Sequence, residues 1–290
     1  MRATAERKKP RHPVPAWKRL IRGKPSRVSD VSANDEFGLD RAFFDAYLEP
    51  LLDFLFTKWF RVEVSGLENV PDTGRALIVA NHSGAIPFDA PMILQALRKH
   101  HPAHRHVRYL VLKWLCSTPF AAELIPKLGF VLACRENARK LLEADHLVGV
   151  FPEGDKGTAK LYKDRYRMVR FGRGGFAEIA METHATLIPT AVVGGEETYP
   201  VLAHVPPLAR LLGLPYFPIT PTFPWLGLLG ALPLPTKYHI HFARPIHLKP
   251  SAVSKAADYT TVRALSELVR SRIQRELQRL VARRTGVFWD

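Results

Sequence analysis

Short apolar runs bounded by Gly, Pro or charged residues recur along this chain and constrain its fold more than any other feature. Residues 76–80, Ala-Leu-Ile-Val-Ala, are typical, because such a run has the length and β-branched content of a buried strand. Helical patterns separate most of these runs, and this alternation predicts an α/β fold with a mixed central β-sheet flanked by helices. The predicted strands cover 62–64, 76–80, 107–112, 130–133, 146–151, 186–193 and 238–242.

Helical periodicity is clearest near the two ends of the chain. Large apolar residues recur at helical spacing over 36–60, which predicts an N-terminal amphipathic helix. Pro50 should bend this helix because proline lacks a backbone donor. Its apolar face either packs on the core or docks on a membrane. A basic terminal helix is predicted over 259–284.

The charge of the chain is strongly positive and unevenly spread. The 290 residues carry 42 Lys and Arg against 27 Asp and Glu, a net charge of +15, which favours anionic partners. Basic residues are concentrated in the terminal helix and in residues 2–27, where Glu6 is the single acid. We predict a disordered basic tail over 1–35, followed by a single folded domain over 36–290.

Residues 201–235 form an apolar segment rich in proline, with Arg210 as its one charged residue. Its prolines exclude a single helix. Such a segment is either buried beneath the domain or in contact with lipid, because an exposed apolar patch of this size is a liability in water. We predict that it forms a tunnel or faces lipid.

Several classes of protein are excluded. Cys116 and Cys134 lack disulfide-motif and zinc spacings, and their apolar neighbours predict buried free thiols in a reducing compartment. The basic N-terminus is not followed by the apolar stretch of a signal peptide, and no apolar window is long enough to span a membrane. Four histidines over 100–106 predict a solvated loop rather than a metal site, and no metal or other cofactor is expected.

A histidine and a carboxylate follow the strand at 76–80. His82 and Asp89 would lie on a loop at a strand end, a favoured place for chemistry in α/β sheets. Histidine is easily poised as a general base, and a carboxylate on its second nitrogen would fix its tautomer. The structural alternative is a strand-capping histidine with Asp89 as a helix N-cap, and the pair alone does not decide between them.

Three further strand ends decide it when they are taken in order. Gly129 to Arg135 ends one strand, Phe-Pro-Glu-Gly at 151–154 ends another, and a strand with central Pro189 follows. Together with Asn81-His82, these segments resemble the glycerolipid acyltransferase family, whose best-known members acylate lysophosphatidic acid. The resemblance covers about residues 60–250, so 36–290 is expected to be a single acyltransferase domain.

The resemblance implies two catalytic residues and one phosphate-binding residue. His82 matches the general base that takes a proton from the acceptor hydroxyl, whose oxygen then attacks an acyl thioester. Asp89 is the orienting carboxylate. Arg135 matches the arginine that holds the acceptor's phosphate, a role that suits the planar fork of a guanidinium.

The same comparison implies residues that shape the substrate site. Asn81 and Gly84 would arrange the loop, whose backbone N–H groups stabilise the developing oxyanion. Glu153 and Gly154 match the turn that shapes the acceptor site, and Lys156 is also assigned to substrate binding.

The chain departs from the family pattern in ways that bear on the acceptor. Six residues separate His82 from Asp89 where the family usually has four, and Asp155-Lys156-Gly157 replaces Thr-Arg-Ser. Segments 160–176 and 193–197 resemble the branch grouped with mono- and diacylglycerol acyltransferases. The acceptor is therefore expected to be a neutral or unusual lipid rather than lysophosphatidic acid.

These observations predict a membrane-associated O-acyltransferase, peripheral or monotopic, at the cytoplasmic face of the cell membrane. Its expected partners are acyl-CoA or acyl carrier protein, a glycerolipid acceptor and an anionic membrane surface, with no nucleic acid. The alternative is a non-catalytic basic module in which residues 1–27 bind anionic lipid or nucleic acid. Four arginines are either a solvated surface or attract the phosphates of coenzyme A: Arg165, Arg167, Arg170 and Arg173.

Overall fold

The computed structural model describes residues 36–117, 121–248, 256 and 258–288, and the predicted basic tail over 1–35 lies outside them. The strands are β1 (Glu63–Ser65), β2 (Ala76–Ala80), β3 (Val107–Val111), β4 (Val131–Leu132), β5 (Leu147–Val150), β6 (Thr186–Val193), β7 (Ala203–His204), β8 (Pro218–Ile219) and β9 (His239–Phe242). The helices after the N-terminal one are α2 (Asp89–His100), α3 (Ala121–Lys127), α4 (Arg135–Glu143), α5 (Asp155–Thr158), α6 (Gly175–Thr183), α7 (Gly195–Thr198), α8 (Pro206–Leu212) and α9 (Tyr259–Arg283).

Seven of the strands form one mixed sheet, in the order β1-β9-β6-β2-β5-β3-β4. β2 lies between β5 and β6 and is parallel to both, while β9 is antiparallel to β6. Parallel strands bring their carboxyl ends to one edge, so the segments that follow β2, β5 and β6 lie side by side. The predicted mixed α/β sheet is confirmed, and this edge positions the site.

Two apolar layers cover the sheet. Successive side chains of a strand face opposite sides of the sheet. All five residues of β2 are buried, so both faces of the sheet are covered there. Ile78 packs with α2 residues such as Met92 on one face, whereas Leu77 packs with α9 residues such as Ile273 on the other.

The predicted N-terminal helix is present as α1, a continuous helical run composed of Arg41–Phe43, Phe44–Leu48, Glu49–Phe54 and Leu55–Trp59. The second and fourth segments are π-helical turns. The first of these turns ends just before Pro50, where the N–H of Glu49 reaches back to Phe44 O. Phe44 and Phe56 are buried in the core, so α1 does pack on the domain. Its outer face is also apolar, with Tyr47, Leu51 and Phe54 exposed.

The segment over 201–235 lies on the surface, which makes the alternative of burial beneath the domain wrong. Backbone hydrogen bonds hold the segment, including those from Leu202 N–H to Ile219 O and from Leu234 N–H to Thr198 O. The indole Nε1 of Trp59 donates to Pro233 O at 3.1 Å, which joins the segment to α1. We call its exposed side chains the apolar surface: Leu211, Leu212, Trp225, Leu226, Leu228, Leu229 and Leu232.

Two local predictions hold only in part: the cysteines are free thiols but neither is fully buried, and the 100–106 segment is exposed at His100 and His104 but not at His101. Cys134 is exposed, and its Sγ accepts a hydrogen bond from the Asn137 N–H, so it caps α4 instead of filling the core. Cys116 is half-buried. In the histidine segment, His101 is buried, with Nε2 bonded to Val70 O at 3.0 Å, and burial lowers the pKa of His106 to about 4. The described residues contain no cluster of three metal-binding side chains.

None of the helices in the described part of the chain has the length and apolar character needed to cross a lipid bilayer.

Candidate active site

The segment that leaves β2 is fixed by the side chain of Asn81. Its Nδ2 donates to Val192 O at 2.9 Å, and its Oδ1 accepts from Val192 N–H at 2.8 Å. These two hydrogen bonds to β6 orient the backbone just before His82. Asn81 is buried and is not among the residues that line the nearby cavity. These contacts hold the start of the loop, and the role of Asn81 in a substrate site stays a prediction.

His82 and Asp89 are in contact despite their long separation in sequence. The His82 Nδ1 donates to Asp89 Oδ2 at 3.1 Å. The Asp89 carboxylate is fully buried and also accepts from the backbone N–H and Oγ of Ser83, each at 2.8 Å. Asp89 is the first residue of α2, where the positive end of the helix dipole favours a negative charge. The carboxylate therefore fixes the imidazole with Nε2 as the nitrogen left for a substrate.

The extra residues of the His82–Asp89 loop are accommodated by an outward turn. Gly84 has a φ of +78°, and a Cβ at this position would lie 2.9 Å from Gly195 O. Ile86 projects to the surface with 47% of its area exposed. The loop thus returns to Asp89 without separating it from His82. The possibility that Asp89 is only an N-cap is not supported, because Phe88 is the N-cap of α2.

The ring of His82 lines a cavity of about 410 Å³ at the carboxyl edge of the sheet. Phe151, which follows β5, stacks on the imidazole with 4.2 Å between ring centroids and an interplanar angle of 18°. Tyr109 also stacks on Phe151, with 5.4 Å between their ring centroids. The lining is mostly apolar, and His82 is only 16% exposed. The imidazole therefore lies in the wall of a mostly apolar cavity, in contact with Asp89 and Phe151.

Glu153 binds the backbone of His82 and is not among the residues that line the cavity. Its Oε1 accepts from the His82 N–H at 3.0 Å, and its Oε2 accepts from the Val169 N–H at 2.6 Å. The carboxylate is fully buried. Gly154, in contrast, does line the cavity, with a φ of +55°. The Glu-Gly turn therefore supplies one residue that positions His82 and one that shapes the cavity wall.

A buried lysine links Glu153 to a second acid. Lys160 Nζ lies 3.4 Å from Glu153 Oε2 and 2.6 Å from Glu196 Oε1. Burial acts to lower the pKa of Lys160, but the charges of Glu196 and Glu153 outweigh it and raise that pKa. Burial raises the pKa of Glu196 to about 7. The Glu153–Lys160–Glu196 triad is a buried charge network that supports the His82 loop.

Arg135 and Lys156 do not line the cavity. Arg135 begins α4, and its guanidinium pairs with Glu178 at 2.8 Å and with Glu182. These two hydrogen bonds raise the pKa of Arg135. β4 is the edge strand of the sheet, three strands from β2, and Ala133, which follows it, lines the cavity of His82. Lys156 is an exposed residue of α5.

The sequence did not identify Ser83, Lys160 or Glu196 as part of the site. Glu196 follows β6, so the rule that parallel strand ends meet could have found it. Ser83 adjoins His82 and could have been inferred as a second donor to Asp89. Lys160 had no local signal, because its two carboxylate partners come from distant parts of the chain.

Comparison with known proteins identifies the family of this chain. Residues 61–193 match the family described as Acyltransferase. An uncharacterized protein of Mycobacterium leprae (strain TN) is 48% identical over 255 residues, covering 88% of this chain and 70% of that protein. The chain belongs to the acyltransferase family. Family membership implies an acyl donor and an acceptor as substrates.

Two more distant similarities connect this acyltransferase to proteins with descriptive names. It is 25% identical over 211 residues to the human "DGAT1/2-independent enzyme synthesizing storage lipids", covering 73% of the chain and 61% of the human protein. The crystal structure of the 1-acyl-sn-glycerophosphate (LPA) acyltransferase PlsC from Thermotoga maritima shares its fold. The TM-score is 0.53 at 20% identity, covering 82% of this chain and 80% of that one.

Proposed function

We propose that this acyltransferase moves a fatty acyl group from a thioester to the hydroxyl of a glycerolipid, with His82 as the general base. The observation that carries the proposal is the His82 Nδ1–Asp89 Oδ2 contact, which directs Nε2 to the cavity. Nε2 takes the hydroxyl proton as the oxygen attacks the thioester carbonyl. The new C–O bond forms, the C–S bond breaks, and the imidazolium returns the proton to the departing thiolate.

A neutral acceptor suits the cavity better than a phosphorylated one. Among the described residues that line the cavity, Arg173 is the single lysine or arginine. Arg135, which the family resemblance assigns to an acceptor phosphate, is paired with Glu178 and Glu182. A phosphate beside the His82 ring itself would lose water and find one arginine, Arg173, in the cavity lining, and this costs free energy. The similarity to enzymes named for storage-lipid synthesis supports a mono- or diacylglycerol.

A second cavity of about 250 Å³ adjoins the first and has an almost wholly apolar lining. Ala85, Trp114 and Tyr216 line both cavities. Phe217 and Phe223 contribute to the second cavity from the segment over 201–235. This arrangement would let a fatty acyl chain extend from His82 into apolar surroundings.

A direct assay tests the acceptor. Purified protein is incubated with radiolabelled oleoyl-CoA and with monoacylglycerol, diacylglycerol or lysophosphatidic acid in detergent. We expect kcat/KM for the better neutral acceptor to exceed that for lysophosphatidic acid by at least about tenfold, equivalent to about 1.4 kcal/mol. A preference for lysophosphatidic acid would reject the neutral acceptor, and no transfer to any lipid would reject the reaction.

Membrane docking through the apolar surface is a further part of this proposal. The surface adjoins the exposed apolar face of α1 through the Trp59–Pro233 contact. We expect Trp225→Asp and Leu228→Asp each to weaken binding to phosphatidylglycerol-containing liposomes by at least about tenfold, because each removes a large apolar side chain from lipid. Both side chains are exposed, at 70% and 90%, so folding should be unaffected.

Flotation with liposomes provides the measurement. Leu268→Asp is the matched control, since Leu268 is an exposed leucine of α9 outside the apolar surface. Equal flotation of Leu228→Asp and Leu268→Asp would show that lipid binding does not depend on the apolar surface.

A further inference from the structure

A small basic cleft adjoins the catalytic cavity. It has a volume of about 120 Å³ and is lined by residues of the 170–174 loop and of α9. Gly172, Arg173 and Gly174 line both the cleft and the cavity that contains His82. A ligand in the cleft could therefore continue directly to the imidazole.

Three arginines give the cleft its charge. Arg170 and Arg173 come from the loop, and Arg263 comes from the first turns of α9. No carboxylate of the described residues lies within the 4.0 Å of an ion pair from any of them. Arg270, on the same helix as Arg263, is in contrast paired with Glu267. These three guanidinium groups are thus available to an anion.

The acid in the cleft is already engaged. Glu267 accepts two hydrogen bonds from Arg270 Nε, at 3.1 and 3.0 Å. The hydrogen bonds from Arg270 lower the pKa of Glu267, and the charges of Arg170 and Arg263 add to this effect. Glu267 therefore leaves the cleft with net positive charge.

The backbone of the loop adds donors beside the arginines. The first helical hydrogen bonds of α6 are donated by Ala177 and Glu178 to Gly174 O. The N–H groups of Gly175 and Phe176 precede them and have no helical acceptor, and both residues line the cavity of His82. A Cβ added at Gly172 or Gly175 would meet nothing within 4 Å, so the loop is open to a ligand. Guanidinium groups beside a helix N-terminus are well suited to phosphate.

We infer that this cleft binds the nucleotide phosphates of an acyl-CoA donor, with its pantetheine arm leading along the shared wall to His82. The inference rests on the proposed acyl transfer and assigns the donor. A phosphopantetheine arm on a carrier protein offers the same phosphate chemistry but carries a single phosphodiester. Three convergent guanidinium groups match the several phosphate charges of a nucleotide better.

Equilibrium binding of CoA, without turnover, tests the inference by titration calorimetry. We expect Arg173→Gln and Arg263→Gln each to raise the Kd of CoA by about tenfold to a hundredfold, the range expected for a hydrogen bond to a charged group. Pantetheine, which lacks phosphate, should bind weakly to all variants. Arg275→Gln is the matched control, because Arg275 is an α9 arginine of a different groove. An unchanged Kd in the cleft variants would overturn the inference.

Two further arms identify the source of the phosphate and separate this inference from the proposed reaction. If 4′-phosphopantetheine binds as tightly as CoA and responds equally to Arg263→Gln, a single phosphate is read and the nucleotide assignment is overturned. In transfer assays, the cleft variants should raise KM for oleoyl-CoA and leave KM for the acceptor unchanged. A rise confined to the acceptor KM would also overturn it. If the unsubstituted protein transfers no acyl group but binds CoA, and the cleft variants lose that binding, the cleft is supported and the proposed reaction is rejected.

Discussion

His82→Ala is expected to reduce kcat for acyl transfer by about 10²–10⁴-fold, the usual contribution of a positioned general base. The side chain is mostly buried and stacks on Phe151, but its loss leaves the Glu153 bond to the His82 backbone in place. The variant should therefore fold. Radiolabelled product formation measures the loss, and circular dichroism with thermal unfolding checks the fold.

Two companion variants make the result specific. His247→Ala, which removes an exposed histidine bonded to Thr186, should retain wild-type activity. Asp89→Asn should lower kcat by a similar factor to His82→Ala, because the amide no longer stabilises an imidazolium or fixes its tautomer. Normal turnover by folded His82→Ala would reject the general-base mechanism.

Lys160→Met should be the most destabilising single substitution around the site. Lys160 lies between Glu153 and Glu196, and all three side chains are at least nine-tenths buried. Removing the cation leaves two buried carboxylates without a counter-charge, and breaking a buried ion pair in this way costs about 3–5 kcal/mol. Urea unfolding followed by fluorescence measures the free energy of unfolding.

Controls on the same segment separate burial from charge. Lys163→Met removes an exposed lysine and should change stability by no more than about 0.5 kcal/mol. The double variant Lys160→Met/Glu196→Gln should recover part of the loss, because only one unpaired carboxylate remains. If Lys160→Met and Lys163→Met are equally stable, the buried network does not support the His82 loop.

Much of the fold could be predicted because local patterns matched the sheet. β6 was predicted over 186–193 and is found at Thr186–Val193. Its eight residues are almost all buried, so its apolar pattern is continuous. The edge strand β4 is shorter than predicted, at Val131–Leu132, because an edge strand pairs on one side only and local composition does not set its length.

The candidate site was predictable in part. The pairing of His82 with Asp89 followed from their order after β2, although the long loop argued against it. The ion pairs of Arg135 with Glu178 and Glu182 did not follow, because motif order does not give the contacts of a side chain; its role at an acceptor phosphate stays a prediction. The ion pairs of Lys160 and the exposure of Cys134 depend on tertiary packing that the neighbouring residues do not encode.

The proposed docking of the apolar surface on lipid determines which substrate concentration governs the rate of the proposed transfer. A protein that rests on one leaflet meets its lipid acceptor by lateral diffusion in two dimensions, whereas a water-soluble thioester arrives from the bulk. Velocity should then follow the mole fraction of acceptor in the bilayer and fall when inert phospholipid dilutes it at constant total acceptor. The donor should obey ordinary bulk saturation in the same experiment. The rate would thus depend on the surface concentration of the acceptor and on the bulk concentration of the donor.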